Sequence, residues 1–516
     1  METGTLKSNK RSISDVHPVF QYALLKRLLE CDPMVKWDMD RGNDPELKKI
    51  SKSLETLHRP FALGGELTHL SVPDDEYYWK TTHVKDINLL LKNGESLGTL
   101  ANLDLAKIEA HATQAPFGKG TETVVDTSVR NAFEIPASDF DPKIIELIAN
   151  AIQYELNDLA PGEGEGAFDI NFYKMHVYHK GGFFAIHADT LHAKNHMATL
   201  VVCLPMKHSG GQLTVKNDQQ SHVFDFSAGI SSKPKIVWGA FYTDCMHEVA
   251  EVTEGTRVVL QYDLMHREKY KSKGNKNEKK TDKEKTEDED DQDDDDDDED
   301  PVRTEEIWFE RGSYRSQNDI PKKVIDKNHI AKTIETYWSR HPNVQLGVLL
   351  THRYATTSLY SSYLKGTDKS LYDLAVSRGW STQLKSIVLN GTSYHSDYSD
   401  DYDEYYAYPF DIEDIDALKK HRKIDDSDSE KEESEKEESE NEDEDDGETT
   451  GEQKKDDKKL DTQTDTQKTI ILVPTSESYL TCLHHSSFIE HTGNESAPEE
   501  NTYFSAAILL SPPQKK

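Results

Sequence analysis

Cysteine is scarce in this sequence. Cys31, Cys203, Cys245 and Cys482 are scattered over 516 residues and form no Cys-x-x-Cys pair. That spacing argues against a disulfide-stapled scaffold and for a reduced, intracellular protein, in cytoplasm or nucleus. Long apolar runs are also lacking: none approaches 18 residues, so no membrane partner is expected. The opening METGTLKSNKRSIS has no apolar middle of the kind a signal peptide needs. Positive charge is the third shortage, with 61 Lys and Arg against 96 Asp and Glu and a net charge of −35. That imbalance is local. Between Glu287 and Asp300, 13 of 14 residues are acidic, and Asp425–Gly447 holds 15 acidic residues against 2 lysines. These tracts carry −26 and leave −9 for the rest of the chain. Charge of one sign at this density repels itself and buries no apolar surface, so disorder is expected there. Net charge also argues against a nucleic-acid backbone as partner, while the acidic tracts suit basic partners.

The remainder divides by periodicity. Residues 1–16 are polar and read as a disordered N-terminus. Residues 17–166 read as a mainly helical region packing on the core, on the strength of FQYALLKRLLE and FDPKIIELIANAIQYELNDLA, with Asp139 or Asp141 as an N-cap. Within it, residues 115–135, which include Arg130, read as a connection or as a lid over substrate. From 167 to 265 the period shortens. Roughly eight short segments rich in Val, Ile, Tyr and Phe follow one another, separated by turn residues, which points to a sandwich or barrel. An acidic linker spans 266–302. Residues 303–412 and 460–513 read as one C-terminal mixed α/β domain, interrupted by an acidic insertion at 413–459. Its expected role is substrate recruitment or dimerisation. The fold class is therefore α+β.

Chemistry concentrates in GGFFAIHADT, residues 181–190. On a strand, residues i and i+2 face one side, so His187 and Asp189 would aim an imidazole and a carboxylate at one point. With a third ligand they form the 2-His-1-carboxylate set that suits non-haem Fe(II) and leaves positions open. His-x-Asp alone is weak, since roughly two matches arise by chance in a chain this rich in His and Asp. The other match, His395 and Asp397, lies in an acidic stretch without sustained alternation and reads as solvated loop. The first is followed by His247 and, ten residues later, Arg257. A hairpin turning at Gly255 would bring those two to neighbouring strands. The planar guanidinium could then grip a carboxylate near the metal.

These residues resemble the catalytic domain of the Fe(II)- and 2-oxoglutarate-dependent dioxygenases, closest to the prolyl 4-hydroxylase branch. The resemblance rests on His187, Asp189, His247 and Arg257, on HEVAEVTEGTRVVLQY, and on GGQLTV at 210–215. It implies a double-stranded β-helix, or jelly roll, as catalytic core with helices packed on one sheet. It implies Fe(II) on His187, Asp189 and His247, 2-oxoglutarate paired with Arg257, dioxygen as cosubstrate, and ascorbate as an auxiliary reductant. Tyr178 and Thr199 fall where the family lines its cosubstrate pocket. The implied reaction is hydroxylation of a protein or peptide side chain such as proline, releasing succinate and carbon dioxide. A nucleic-acid or small-molecule substrate stays open, as does a binding protein that keeps the fold without the chemistry. His176, His179, His192 and His196 crowd the same region and are expected to be supporting or surface residues. Cys203 and Cys245 are expected to be core.

Overall fold

Strand-forming residues dominate the middle of the chain, and they fold as two antiparallel sheets. The structure, a computed structural model, describes residues 37–39, 44–57, 59–73, 79–119, 122–159, 168–217, 220–229, 233–267, 326–396, 399–410, 469–473, 488–489, 493 and 503–513. Both acidic tracts, FQYALLKRLLE, and Asp397 of the second His-x-Asp lie outside the described residues. No helix among the described residues is long and apolar enough to cross a membrane.

The core strands are β1 (Ala62–Leu67), β2 (Phe133–Pro136), β3 (Phe168–His179), β4 (Phe183–His187), β5 (His196–Cys203), β6 (Leu213–Asn217), β7 (Gln220–Phe224), β8 (Ile236–Tyr242), β9 (Met246–Val249) and β10 (Val252–His266). The larger sheet has the order β1-β8-β5-β10-β3-β2 and ends on Thr113–Gln114. The smaller begins at Arg130–Asn131 and continues β4-β9-β6-β7. From β3 onward the chain alternates between the sheets except at the β6–β7 hairpin, where both strands stay in the smaller sheet, and this alternation is how a double-stranded β-helix is wound. Burial follows from this. β5 and β8 are buried at every position, because their inner face looks at the other sheet and their outer face is covered. The cover includes the helix Pro142–Ile152, which lies near the larger sheet: Tyr262 Oη donates to Ile145 O at 3.1 Å. Asp141 is that helix's N-cap, accepting from Lys143 N at 3.0 Å, and Pro142 occupies its first turn. Ile145, Ile148, Ala149 and Ile152 form its buried stripe.

The structure corrects three expectations. The region before the core is not mainly helical. Among its described residues, α-helix is confined to Pro45–Leu54, Leu105–His111 and Pro142–Ile152, and short strands and 3₁₀ turns make up most of the rest. Helical spacing is sustained only in short stretches there, and the apolar residues between them pair across strands such as His69–Pro73 with Trp79–His83. Secondly, Pro45–Leu54 does not pack on the catalytic core. Its Leu47, Ile50 and Leu54 join Ile330, Ile334 and Trp338 in a second apolar cluster. That cluster lies against a mixed sheet in which Val344–Leu349, Thr469–Val473 and Trp37–Met39 run beside Ser381–Ser396, Ser399–Phe410 and Tyr503–Ser511. Thirdly, His247 and Arg257 are not on one hairpin. β9 pairs with β4 and β6, whereas β10 pairs with β3 and β5. The chain crosses between sheets at Ala250–Glu251, and Gly255 sits inside β10 at φ +70°, beside His208. The two side chains therefore face one another across the barrel.

Candidate active site

β4 ends at His187, and Asp189 stands two residues further on, past the strand. Its backbone N–H donates to Thr243 O at 3.1 Å. The shared-face reading thus holds for His187 alone. A loop that Thr243 anchors delivers the carboxylate. His247, on β9, is the register partner of His187. Ligand atoms of His187, Asp189 and His247 all lie within 4.8 Å of one another, and all three residues are buried. His187 Nδ1 is 2.8 Å from Ala185 O, and His247 Nδ1 is 2.9 Å from Cys245 O. A carbonyl only accepts, so each Nδ1 carries the proton and each Nε2 is the nitrogen suited to a metal. His247 Nε2 lies 3.6 Å from Asp189 Oδ1. Thr199 Oγ1 donates to Asp189 Oδ2 at 2.5 Å, which fixes the carboxylate plane. Phe184 stacks on the His187 ring at 3.6 Å between centroids, and Phe241 packs on His247 at 4.5 Å.

These residues line a cavity between the sheets. Arg257 is part of its wall and is 1% exposed. Its guanidinium lies 5.0 Å from the ring centre of Tyr178 and 5.1 Å from that of Phe226. Its Nε and Nη1 are buried and have no hydrogen-bond partner. A buried cation with unmade bonds is costly unless an anion completes it. The cavity therefore offers a hard nitrogen-and-oxygen ligand set at one place and an unsatisfied guanidinium at another. This fits a ferrous ion together with a keto-diacid that chelates through one end and is gripped at the other.

Residues 173–262 match the 2OG-Fe(II) oxygenase superfamily. The match is confined to that segment, which carries the candidate site, and the protein is an oxidoreductase. More particularly, it is a dioxygenase that uses Fe(II), with 2-oxoglutarate and dioxygen as cosubstrates. No curated protein matches the sequence. Similar solved structures include an oxidoreductase of the 2OG-Fe(II) oxygenase family from Burkholderia pseudomallei, at 16% identity over 32% of this chain and 79% of that one, TM-score 0.23. A Pseudomonas putida prolyl-4-hydroxylase is 20% identical over 27% and 75%, TM-score 0.20. A Trichoplax adhaerens prolyl hydroxylase, in complex with a peptide fragment of the hypoxia inducible factor oxygen degradation domain, is 15% identical over 31% and 74%, TM-score 0.23.

The other sequence candidates fall into place individually. Tyr178 is the register partner of Arg257 and lies along one side of its guanidinium. Thr199 lines the cavity and holds Asp189. Arg130 is no lid residue. It is 1% exposed, donates to Pro116 O at 2.6 Å and to His176 Nδ1 at 3.0 Å, and lies over Phe184. Burial, then Arg130 and Lys174, push the His176 imidazole well below its ordinary range. It is neutral, and its Nε2–H donates to Gln261 Oε1 at 2.9 Å. Burial pushes the Cys203 thiol up to about 11, so it is an inert core residue. Cys245 is buried. The sequence reading missed Phe226, Gln261 and the part played by His176. One signal was available: Arg257, Val259, Gln261 and Asp263 alternate along β10, so polar residues in an apolar strand share its inner face.

GGQLTV has a local reason to begin with two glycines. Gly210 and Gly211 adopt φ +75° and +68°. A Cβ on Gly211 would meet Arg257 Cδ at 2.8 Å and Val252 Cγ2 at 3.0 Å. Gly211→Ala should cost about 1–2 kcal/mol through the left-handed backbone. By pushing the Arg257 stem aside it should also raise the KM for 2-oxoglutarate roughly tenfold, about 1.4 kcal/mol. Denaturant titration and initial rates measure the two effects separately.

The mixed sheet reaches this site. Tyr503 Oη donates to Asp189 O at 3.2 Å. Next to it, Lys365 Nζ donates to Asp244 Oδ1 at 2.7 Å, and His352 Nδ1 lies 3.1 Å from Asp244 Oδ2. Burial alone would raise the Asp244 carboxyl, but Lys365 and His352 more than offset it and hold it well below the usual carboxylate range.

Proposed function

We propose that His187, Asp189 and His247 hold the iron, that Arg257 pairs with the distal carboxylate of 2-oxoglutarate, and that the enzyme hydroxylates a protein side chain, proline first among them. The observation that carries this reading is the Arg257 guanidinium, buried in the same cavity as the three ligands with Nε and Nη1 unpartnered. Iron with 2-oxoglutarate supplies dioxygen activation, with succinate and carbon dioxide as products. The chain's own residues do the rest. The backbone carbonyls of Ala185 and Cys245 set both imidazole tautomers, and Thr199 restrains the carboxylate. Tyr178 and Phe226 confine the guanidinium to one orientation, which fixes where the cosubstrate's far end must lie. Phe184, Phe241 and Val249 keep the cavity apolar and limit water near the ligands. The preference for proline rests on the resemblance of the four-residue pattern and the Gly-Gly strand to the prolyl 4-hydroxylase branch.

The test is anaerobic titration of the full chain with Fe(II) and 2-oxoglutarate, followed by admission of air. Succinate release should require both. With proline-containing protein substrates it should be matched by products heavier by one oxygen. Absence of metal- and 2-oxoglutarate-dependent succinate would overturn the ligand assignment. Succinate release with modification of another residue type would overturn only the substrate.

A further inference from the structure

We propose that the module built on the mixed sheet is a working part of the oxygenase site: its Tyr503 and Lys365 are positioning residues that set where Asp189 presents its carboxylate. This rests on the reading that Asp189 is an iron ligand. Tyr503 opens the strand Tyr503–Ser511, and Lys365 precedes the helix Gly366–Ser377, whose Leu371 and Leu374 pack in the second apolar cluster. Both backbone groups of Asp189 lead back to these two residues. Tyr503 Oη donates to Asp189 O at 3.2 Å. Asp189 N donates to Thr243 O at 3.1 Å. Thr243 is the middle of three consecutive residues that the other module grips. Gly366 N donates to Tyr242 Oη at 3.0 Å, and Lys365 Nζ donates to Thr243 Oγ1 at 3.2 Å and to Asp244 Oδ1 at 2.7 Å. The backbone at Gly493 also seats on the loop, since a Cβ there would meet Thr190 Oγ1 at 2.5 Å and Ala188 O at 2.8 Å. Ala188, Leu191, Ala355 and Tyr503 form an apolar cluster of their own at this contact.

The chemistry of the contact suits placement better than adhesion. Thr243, Asp244, His352, Lys365 and Tyr503 are all buried. A buried ion pair adds little net stability over apolar packing, because desolvation cancels most of the attraction. It persists where its hydrogen bonds are complete, and those of Asp244 are. Besides Lys365, Arg353 N donates to Asp244 Oδ2 at 2.9 Å, and His352 Nδ1 lies 3.1 Å from the same oxygen. A slip of one residue would strand both charges, so the pair fixes register. The register it fixes is that of Thr243, one peptide bond away, on which Asp189 N rests. A ligand set needs its members held to within about 0.5 Å. Thr199 restrains the Asp189 carboxylate at Oδ2, and the two backbone bonds restrain the main chain from which that side chain springs.

The test titrates the full-length chain anaerobically with Fe(II) alone and records the metal-free melting temperature beside it. Tyr503→Phe removes one oxygen and keeps the ring. It should weaken Fe(II) binding about tenfold, with a melting temperature close to that of the parent. Lys365→Met alone would strand Asp244, so it is combined with Asp244→Asn, and the double variant should weaken Fe(II) by about 10–100-fold. In both, excess Fe(II) should restore turnover, and the KM for 2-oxoglutarate at saturating iron should stay at the parent value, because Arg257 is untouched. Leu371→Ala, in the second apolar cluster, should lower the melting temperature and leave Fe(II) affinity as in the parent. Fe(II) affinity that falls in step with melting temperature across the set, Leu371→Ala included, would overturn the proposal. So would parent-like affinity in both Tyr503→Phe and the double variant. Asp189→Ala separates the two readings. If it alone loses iron, the ligand assignment stands and the positioning role falls; if it binds iron like the parent, both fall.

Discussion

Arg257→Ala is expected to raise the 2-oxoglutarate concentration for half-maximal turnover roughly 10²–10³-fold, with a much smaller change in kcat at saturation. The estimate follows from burial. Removing one partner of a buried ion pair costs about 3–5 kcal/mol, because the partner left behind has lost water without gaining a counter-charge. Here the partner left behind is the cosubstrate's distal carboxylate. Tyr178 and Phe226 cannot replace the guanidinium, since aromatic faces repel an anion. Arg257→Lys should recover only part of the loss, because an ammonium lacks the two-pronged head. A matching experiment varies the ligand. A 2-keto acid without the distal carboxylate should be a poor cosubstrate for the parent, yet the Arg257→Ala variant should barely discriminate between the two acids. That is the signature of one interaction removed from either side. Equal discrimination by parent and variant would place the distal carboxylate elsewhere. Iron content should be unchanged, which separates this loss from damage to the ligand cluster.

What the sequence discloses about this site depends on whether a contact is local. His187 and Asp189 are two residues apart, so strand geometry alone suggested convergence, and a chain extended through Ala188 brings them close even though the strand stops at His187. His247 and Arg257 were legible as partners by spacing, but the route was misread. Ten residues suit a hairpin, and they also suit a crossing between sheets. Only the pairing of β9 with β4, and of β10 with β3, decides between the two. Phe226 was invisible because it lies on a 3₁₀ turn, where no periodicity announces which way a side chain faces. Helix Pro142–Ile152 was legible from its cap and stripe. The destination of Pro45–Leu54 was not, since an apolar stripe states that a helix must be covered without naming the cover. Tyr503 shows the limit most plainly. Its hydroxyl reaches Asp189 O from 314 residues away.

Asp189→Ala is expected to reduce metal-dependent succinate formation by at least about 10³-fold and to weaken iron binding at the same time. Partners that merely orient a ligand are worth roughly 10–100-fold, so loss of a ligand itself must exceed that range. The position supports the larger figure. Asp189 supplies the only carboxylate in the three-residue cluster, and the two imidazoles that remain are neutral donors. Without it the site has two ligands and no charge to offset the ion. The loss should grade with chemistry. Asp189→Asn keeps the shape and an oxygen but not the charge, so it should retain weak iron binding. Thr199→Val, which removes only the 2.5 Å hydrogen bond to Oδ2, should fall in the 10–100-fold range in iron affinity and keep measurable turnover. A structural role for Asp189 predicts another ordering. In that case Asp189→Asn, which can still accept from Thr199, would behave like the parent, and Thr199→Val would be the more damaging change. Iron affinity measured anaerobically across the three variants distinguishes these cases, because the ligand role requires Asp189→Ala weakest, Asp189→Asn next and Thr199→Val nearest the parent.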